Sequence, residues 1–196
     1  NREIPAFVVM PSTAPKVKVA AVKAYGGIVT FCEPTLEARE QMLEKIQAQN
    51  QAIEVHPYNN ENIIAGQATA ALEIAKDMQP DLIIAPVGGG GLLAGTALST
   101  HYFLPGTKVI AAEPKGADDA WQSFHAGKII PSVKPKTIAD GLLTSLGGLT
   151  YPIIRDYVDD IITVEEASII KAMRLVWERM KIIIEPSSAV PLAAVL

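Results

Sequence analysis

Four consecutive glycines, Gly88, Gly89, Gly90 and Gly91, stand in the middle of DLIIAPVGGGGLLAG (81–95) and constrain this chain more than any other feature. The bounded apolar run 82–87 before them reads as a buried strand. Behind them Leu92, Leu93, Ala97, Leu98 and Tyr102 recur at helical spacing. Residues without side chains leave their backbone N–H groups bare and reach left-handed conformations, so several N–H groups can converge on one point. The helix start just behind adds partial positive charge. Strand, glycine loop and helix therefore read as a phosphate cradle. No Lys-Ser or Lys-Thr follows the last glycine, as a P-loop requires, and no G-x-G-x-x-G with an acidic ribose ligand is present. A tight strand-to-helix turn without a ligand is the competing reading of the same residues.

The rest of the chain repeats the β-then-α alternation. Strands are expected at 6–10, 28–32, 52–56, 82–87, 108–112, 161–164 and 182–184. Helices are expected from Pro15 to the Gly26-Gly27 stop and at 36–50, 64–78, 119–125, 153–158, 167–180 and 187–196. Short connections between alternating elements predict parallel sheets covered on both faces, an α/β fold in three αβα layers. Residue 1 stands directly before an apolar strand, and residue 196 falls inside an apolar helix without a C-cap, so a piece of a longer protein, incomplete at both ends, is expected.

Bulk properties exclude several classes. With 49% apolar and 19% charged residues the chain is globular, not disordered. A net charge of −4 offers no footprint for nucleic acid, and no apolar run has the length of a membrane span. Neither end resembles a targeting peptide. Cys32 is the only cysteine, which fits a reducing compartment, read as cytoplasmic, and it is expected as buried bulk. His56, His101 and His125 lack metal-ligand spacing, and Trp177 with Met180 reads as core.

Seven segments together resemble the fold-type II pyridoxal-phosphate enzymes, with the tryptophan synthase β-like fold, and within them the serine racemase and serine/threonine dehydratase branch. They are VMPSTAPKVKVAAVKAYGG, VHPYNNENIIAGQAT, APVGGGGLLAG, AAEPKGADDA, TIADGL, YPIIRDYVDDI and LVWERMKIIIEPSSA. The resemblance implies that residues 1–52 are part of a small α/β domain and 53–196 part of a large cofactor-binding domain. It implies that Gly88 to Gly91 hold the phosphate of pyridoxal 5'-phosphate, that Gly141 lines the cofactor near its ring, and that Glu185 stands beside the ring. The residues alone read Glu185 as a partner for the start of the Ser187-Ser188 helix. In the family the lysine that bonds the cofactor sits in an S-F-K-x-R-G segment, an S-S-G-N-H-G loop grips the substrate carboxylate, and an S-G-G-N strand contacts the pyridine nitrogen. None of the three occurs here. Lys16, Lys18 and Lys23 fall on expected outer faces, so no catalytic residue is expected in this chain, and these residues alone are expected to be inactive.

Two further sites need both readings. Within AAEPKGADDA, the Glu113 and Asp119 carboxylates and the Ala117 carbonyl are hard oxygen ligands suited to Mg²⁺, Ca²⁺ or Mn²⁺. The alternative is an acidic helix start capped by Asp118 or Asp119. The resemblance implies a stabilising divalent cation at Glu113, Ala117 and Asp119. Arg39 lies among Glu37, Glu40 and Glu44, where ion pairing on an exposed helix accounts for it. The resemblance instead implies a contact with the substrate carboxylate. His56-Pro57-Tyr58 resembles the family's strand-end motif; animal racemases tend to have Asn at the position of Tyr58 and dehydratases an aromatic.

The expected activity of the parent protein is dehydration and deamination of L-serine or L-threonine to a 2-oxo acid and ammonia, with serine racemisation possible. Serine racemisation as the main activity is the nearest alternative. A β-replacement enzyme, a non-catalytic phosphate-binding module and a nucleotide-dependent dehydrogenase are the others. The expected partners are a small amino-acid substrate and a second copy of the chain in a homodimer.

Overall fold

A computed structural model describes residues 4–196. It resolves into two compact units, the first ending at Val55 and the second covering His56–Leu196.

In the first unit β1 (Phe7–Pro11) and β2 (Ile28–Cys32) form a parallel pair in register Phe7 to Ile28, joined through α1 (Lys16–Ala24). α2 (Leu36–Asn50) follows, and the Thr35 hydroxyl caps its start by accepting the Ala38 N–H at 3.2 Å. Cys32 is buried, as expected, with its Sγ 3.7 Å from the Met10 carbonyl. Lys16, Lys18 and Lys23 are exposed on α1.

The second unit is built on a parallel sheet of order β3 (Leu82–Pro86), β4 (Lys108–Pro114) and β5 (Asp160–Val164). Its strands are apolar on both sides because both faces are covered. Ala85, Val109, Ala111 and Ile161 pack against α3 (Glu61–Asp77), α4 (Gly91–Phe103), α5 (Asp119–Ala126) and α6 (Thr150–Tyr157). Their neighbours Ile84, Ala112 and Ile162 face α7 (Glu166–Leu175) and α8 (Pro186–Val195) through Ile169, Ala172, Ala189 and Val190. Three αβα layers result, and each large aliphatic side chain buried between them contributes about 1.5–3 kcal/mol. α3 and α4 touch backbone to backbone at Gly95, where a Cβ would lie 2.5 Å from the Ala68 nitrogen. The Ser99 hydroxyl donates to the Ala68 carbonyl across the same contact at 2.8 Å.

Three expectations fail. Residues 52–56 and 182–184 form no strand, although their β-branched residues suit one. A strand exists only through a paired neighbour, and among the described residues these segments have none; Ile53 and Ile183 are 90% and 89% exposed. The helix expected through Met180 changes at Val176–Met180 into a π turn, which rotates the apolar face. Trp177 and Met180 are therefore exposed, not core, and the Trp177 indole N–H donates to the Ile184 carbonyl.

Candidate active site

Beyond Pro86 the Val87 N–H still donates to the Ala112 carbonyl at 3.1 Å, and then the chain leaves the sheet at its C-terminal edge. This is where open α/β sheets bind ligands. Gly88, Gly89, Gly90 and Gly91 are all buried. Gly90 is the N-cap of α4 at φ 89°, a conformation that side chains disfavour. Among the described residues the N–H groups of all four glycines lack a hydrogen-bond partner. Leaving a buried donor unsatisfied costs about 1–3 kcal/mol, so four of them at a helix N-terminus fit an anionic ligand.

The glycines are also required by what surrounds them. A Cβ on Gly89 would lie 2.3 Å from the Tyr58 ring, one on Gly91 2.9 Å from Tyr58 Cβ, and one on Gly88 3.0 Å from Leu142 Cα. Tyr58 is held by a turn in which His56 Nδ1 accepts the Asn59 N–H at 2.8 Å and the Tyr58 N–H at 3.3 Å. Asn59 Oδ1 accepts the Leu149 N–H at 2.8 Å. On the carbonyl side, Thr150 Oγ1 donates to the Gly89 carbonyl at 2.8 Å. Sequence reasoning did not find Tyr58, Leu142 or Thr150 as walls of the loop, because nothing local to 88–91 signals partners from other segments.

Gly141 and Glu185 join this site. Gly141 opens the loop between Ala139 and Leu142, and its carbonyl lies 3.2 Å from where a Gly88 Cβ would be. Its N–H donates to Ser187 Oγ at 3.2 Å, and Glu185 Oε1 lies 3.5 Å from a Gly141 Cβ position. Glu185 is the N-cap residue of α8, yet its side chain makes no capping bond and is exposed. The helix-start reading of its carboxylate thus fails, and three segments far apart in sequence meet at Gly88, Gly141 and Glu185. A cavity of about 300 Å³ bordered by Thr100, His101, Val109 and Asp159 lies toward the opposite, N-terminal ends of β4 and β5.

At the end of β4, Glu113 is 1% exposed, and its two carboxylate oxygens accept the Ala120 and Trp121 N–H groups at 3.0 and 2.9 Å. Glu113 therefore caps α5; the side chains of Asp118 and Asp119 do not, which corrects the alternative reading of this loop. Burial pushes the Glu113 carboxyl up to about 8, with the Asp119 and Asp118 charges adding and the two N–H bonds opposing. Asp119 is 4% exposed and also raised by burial, to about 6, with the nearby Ser132 hydroxyl opposing. Neither Asp119 oxygen meets ordinary hydrogen-bond geometry. Ala117 is buried in the turn Lys115–Ala117, which Gly116 ties to Lys136 by accepting its N–H at the Gly116 carbonyl at 2.7 Å. Among the described residues no three acidic, His or Cys side chains form a metal cluster, so a cation here would need the Ala117 carbonyl and water.

The family model "Pyridoxal-phosphate dependent enzyme" matches residues 1–196. The chain belongs to that family. It is 48% identical over 196 residues to a β-hydroxyaspartate dehydratase of Paracoccus denitrificans, covering 100% of this chain and 62% of the relative. It is 50% identical to a serine racemase of Arabidopsis thaliana, covering 98% of this chain and 59% of the relative. A solved threonine deaminase from T.th. superposes with a TM-score of 0.92 at 43% identity, covering 98% of this chain and 64% of that one. The chain thus spans about three fifths of the length of these relatives.

A pyridoxal-phosphate enzyme must hold a phosphate dianion and leave room beside an aromatic ring. Four bare, buried N–H groups fit the first need, and Gly141 between Gly88 and Glu185 fits the second. Arg39 is exposed on α2 in the first unit and, among the described residues, makes none of the ion pairs that Glu37, Glu40 and Glu44 offer. No helix among the described residues is long and apolar enough to cross a membrane.

Proposed function

We propose that the full-length protein uses pyridoxal phosphate to dehydrate and deaminate L-serine or L-threonine, yielding a 2-oxo acid and ammonia, with serine racemisation as a second outcome. The observation that carries this reading is the set of four buried N–H groups without acceptors at Gly88 to Gly91. The dehydratase, racemase and deaminase relatives support the substrate class. When bound, the cofactor supplies an electron sink next to the amino acid's Cα. The glycine N–H groups grip the phosphate, and the Gly90 helix start adds its partial positive charge. Gly141 keeps the ring's flank free of a side chain, and Glu185 places a carboxylate at that flank. Arg39 would hold the substrate carboxylate, as a guanidinium fork does. The lysine that bonds the cofactor belongs to a part of the protein outside these residues.

Glu113, the Ala117 carbonyl and Asp119 would hold a divalent cation, supported by the buried Asp119 oxygens that meet no donor in ordinary hydrogen-bond geometry and by the raised carboxyls. Its role would be structural: neutralising charge that burial disfavours, at the helix that Glu113 caps. The active form would be a cytoplasmic homodimer, with residues up to about 52 belonging to the small domain and those from 53 to the large cofactor-binding one.

The test is an assay of the full-length protein with L-serine, L-threonine and β-hydroxyaspartate, following 2-oxo acid and D-serine together. Keto acid from L-serine or L-threonine is the expected result. D-serine without keto acid would make racemisation the main activity, keto acid from β-hydroxyaspartate alone would move the substrate, and a protein that binds no pyridoxal phosphate would overturn the reading. Arg39→Ala should raise KM about tenfold or more with cofactor binding unchanged, since it removes one charge-assisted contact.

A further inference from the structure

We propose that Thr150, at the start of α6, is a positioning residue that sets which face of the Gly89–Gly90 peptide meets the ligand's phosphate; this rests on the phosphate-cradle reading above. A trans peptide is planar, so the carbonyl of Gly89 and the N–H of Gly90 point in opposite directions. Fixing one aims the other. Thr150 is 0% exposed, and its Oγ1 lies 2.8 Å from the Gly89 carbonyl, so water does not compete for that bond. The same oxygen accepts the Gly147 N–H at 2.9 Å. A hydroxyl has one proton to give, and the Gly89 carbonyl is nearer than the Gly147 carbonyl at 3.2 Å. The Gly147 N–H reaches the same Gly89 carbonyl more weakly, at 3.4 Å.

This bond matters because the peptide lies between two glycines. Such a unit can flip with little steric penalty, exchanging its carbonyl for its N–H. In the flipped form a carbonyl oxygen would face the phosphate and repel it. Gly90 at φ 89° is in the form that gives α4 its N-cap and leaves the N–H bare. One buried hydroxyl from a segment sixty-one residues away therefore holds the loop as a donor surface. The phosphate selects the same orientation, so Thr150 prepares the loop before the ligand arrives.

The test uses the full-length protein stripped of cofactor. Affinities for pyridoxal phosphate and for pyridoxal, which lacks the phosphate, are measured by absorbance and fluorescence titration in the parent, Thr150→Val and Thr150→Ser. The parent should bind pyridoxal phosphate at least about tenfold tighter than pyridoxal, and Thr150→Val should lose about tenfold for the first and under about twofold for the second. Thr150→Ser, which keeps the hydroxyl, should return to within about threefold of the parent. Should Thr150→Val fail to fold, Thr150→Cys keeps the volume with a weaker donor and should fall between Val and Ser behaviour. Equal losses for both ligands in Val or Cys, or no loss in either, would overturn the assignment while the cradle reading stands. A parent that does not distinguish the two ligands would remove the cradle reading and the role of Thr150 with it.

Discussion

The glycine loop after β3 and the acidic loop after β4 leave adjacent strands of one sheet at the same edge, yet they have opposite deficits. At Gly88 to Gly91, donors are buried without acceptors. At Asp119, buried acceptors meet no donor in ordinary hydrogen-bond geometry and have only the Ser132 hydroxyl nearby, and the carboxyls of Asp119 and Glu113 hold their protons to unusually high pH. The first deficit is made of fixed backbone dipoles, which keep their polarity at every pH and are met best by an anion. The second is made of titratable groups, which can be met by a proton or by a cation. One loop therefore depends on its ligand at every pH, and the other trades ligand against proton.

Breaking the donor side should have the largest effect. Gly90→Ala puts a Cβ 2.8 Å from Ile154 Cδ1 and Thr150 Oγ1 at a φ of 89°. Pyridoxal phosphate retention by the full-length protein should fall about 100-fold, the equivalent of roughly 2–3 kcal/mol of strain and lost bonds. Bound-cofactor absorbance reads it, and the response to cations should survive.

On the acceptor side the expected effects are thermal. Asp119→Asn should abolish the rise in melting temperature given by Mg²⁺ or Ca²⁺, a rise on the order of 5 °C, with cofactor retention unchanged. A parent protein that shows no such rise would remove the cation from this loop.

A pH series separates the two deficits. Both carboxyls are raised on folding, from ordinary values of 3.8 and 4.5 to about 6 for Asp119 and about 8 for Glu113. Across those windows the folded chain binds more protons than the unfolded one, so stability in chelator is full below them and declines as pH rises through them. Saturating divalent cation, which binds the deprotonated forms, should flatten that decline. Melting temperatures from pH about 4 to about 8.5, with and without cation, test this sign; a rise with pH in chelator would contradict it.

The smallest effect is expected at the seam of the cradle. Ser187→Ala removes the acceptor of the Gly141 N–H, worth about 1 kcal/mol. Cofactor affinity should weaken about fivefold, measured by titration, with the cation response intact.

Local chemistry in the sequence was enough for the βα rhythm, the parallel sheets and the bare amides of Gly88 to Gly91, because glycine content and hydrophobic period act over a few residues. Resemblance added Gly141 and Glu185, whose local sequence speaks only of a turn and a helix start. Two stretches with β-branched residues, 52–56 and 182–184, misled for a physical reason: β propensity is local, whereas a strand needs a partner. Trp177 misled because it lies within a π turn, where the 3.6-residue period no longer says which residues share a face. What tertiary structure alone decided is why the loop must be glycine and which way its peptides face. Tyr58, Leu142 and Thr150 reach it from segments dozens of residues away, and Glu113, not a local aspartate, caps α5. Steric approach and hydrogen-bond direction arise only when distant segments are packed together, so no window of sequence contains them.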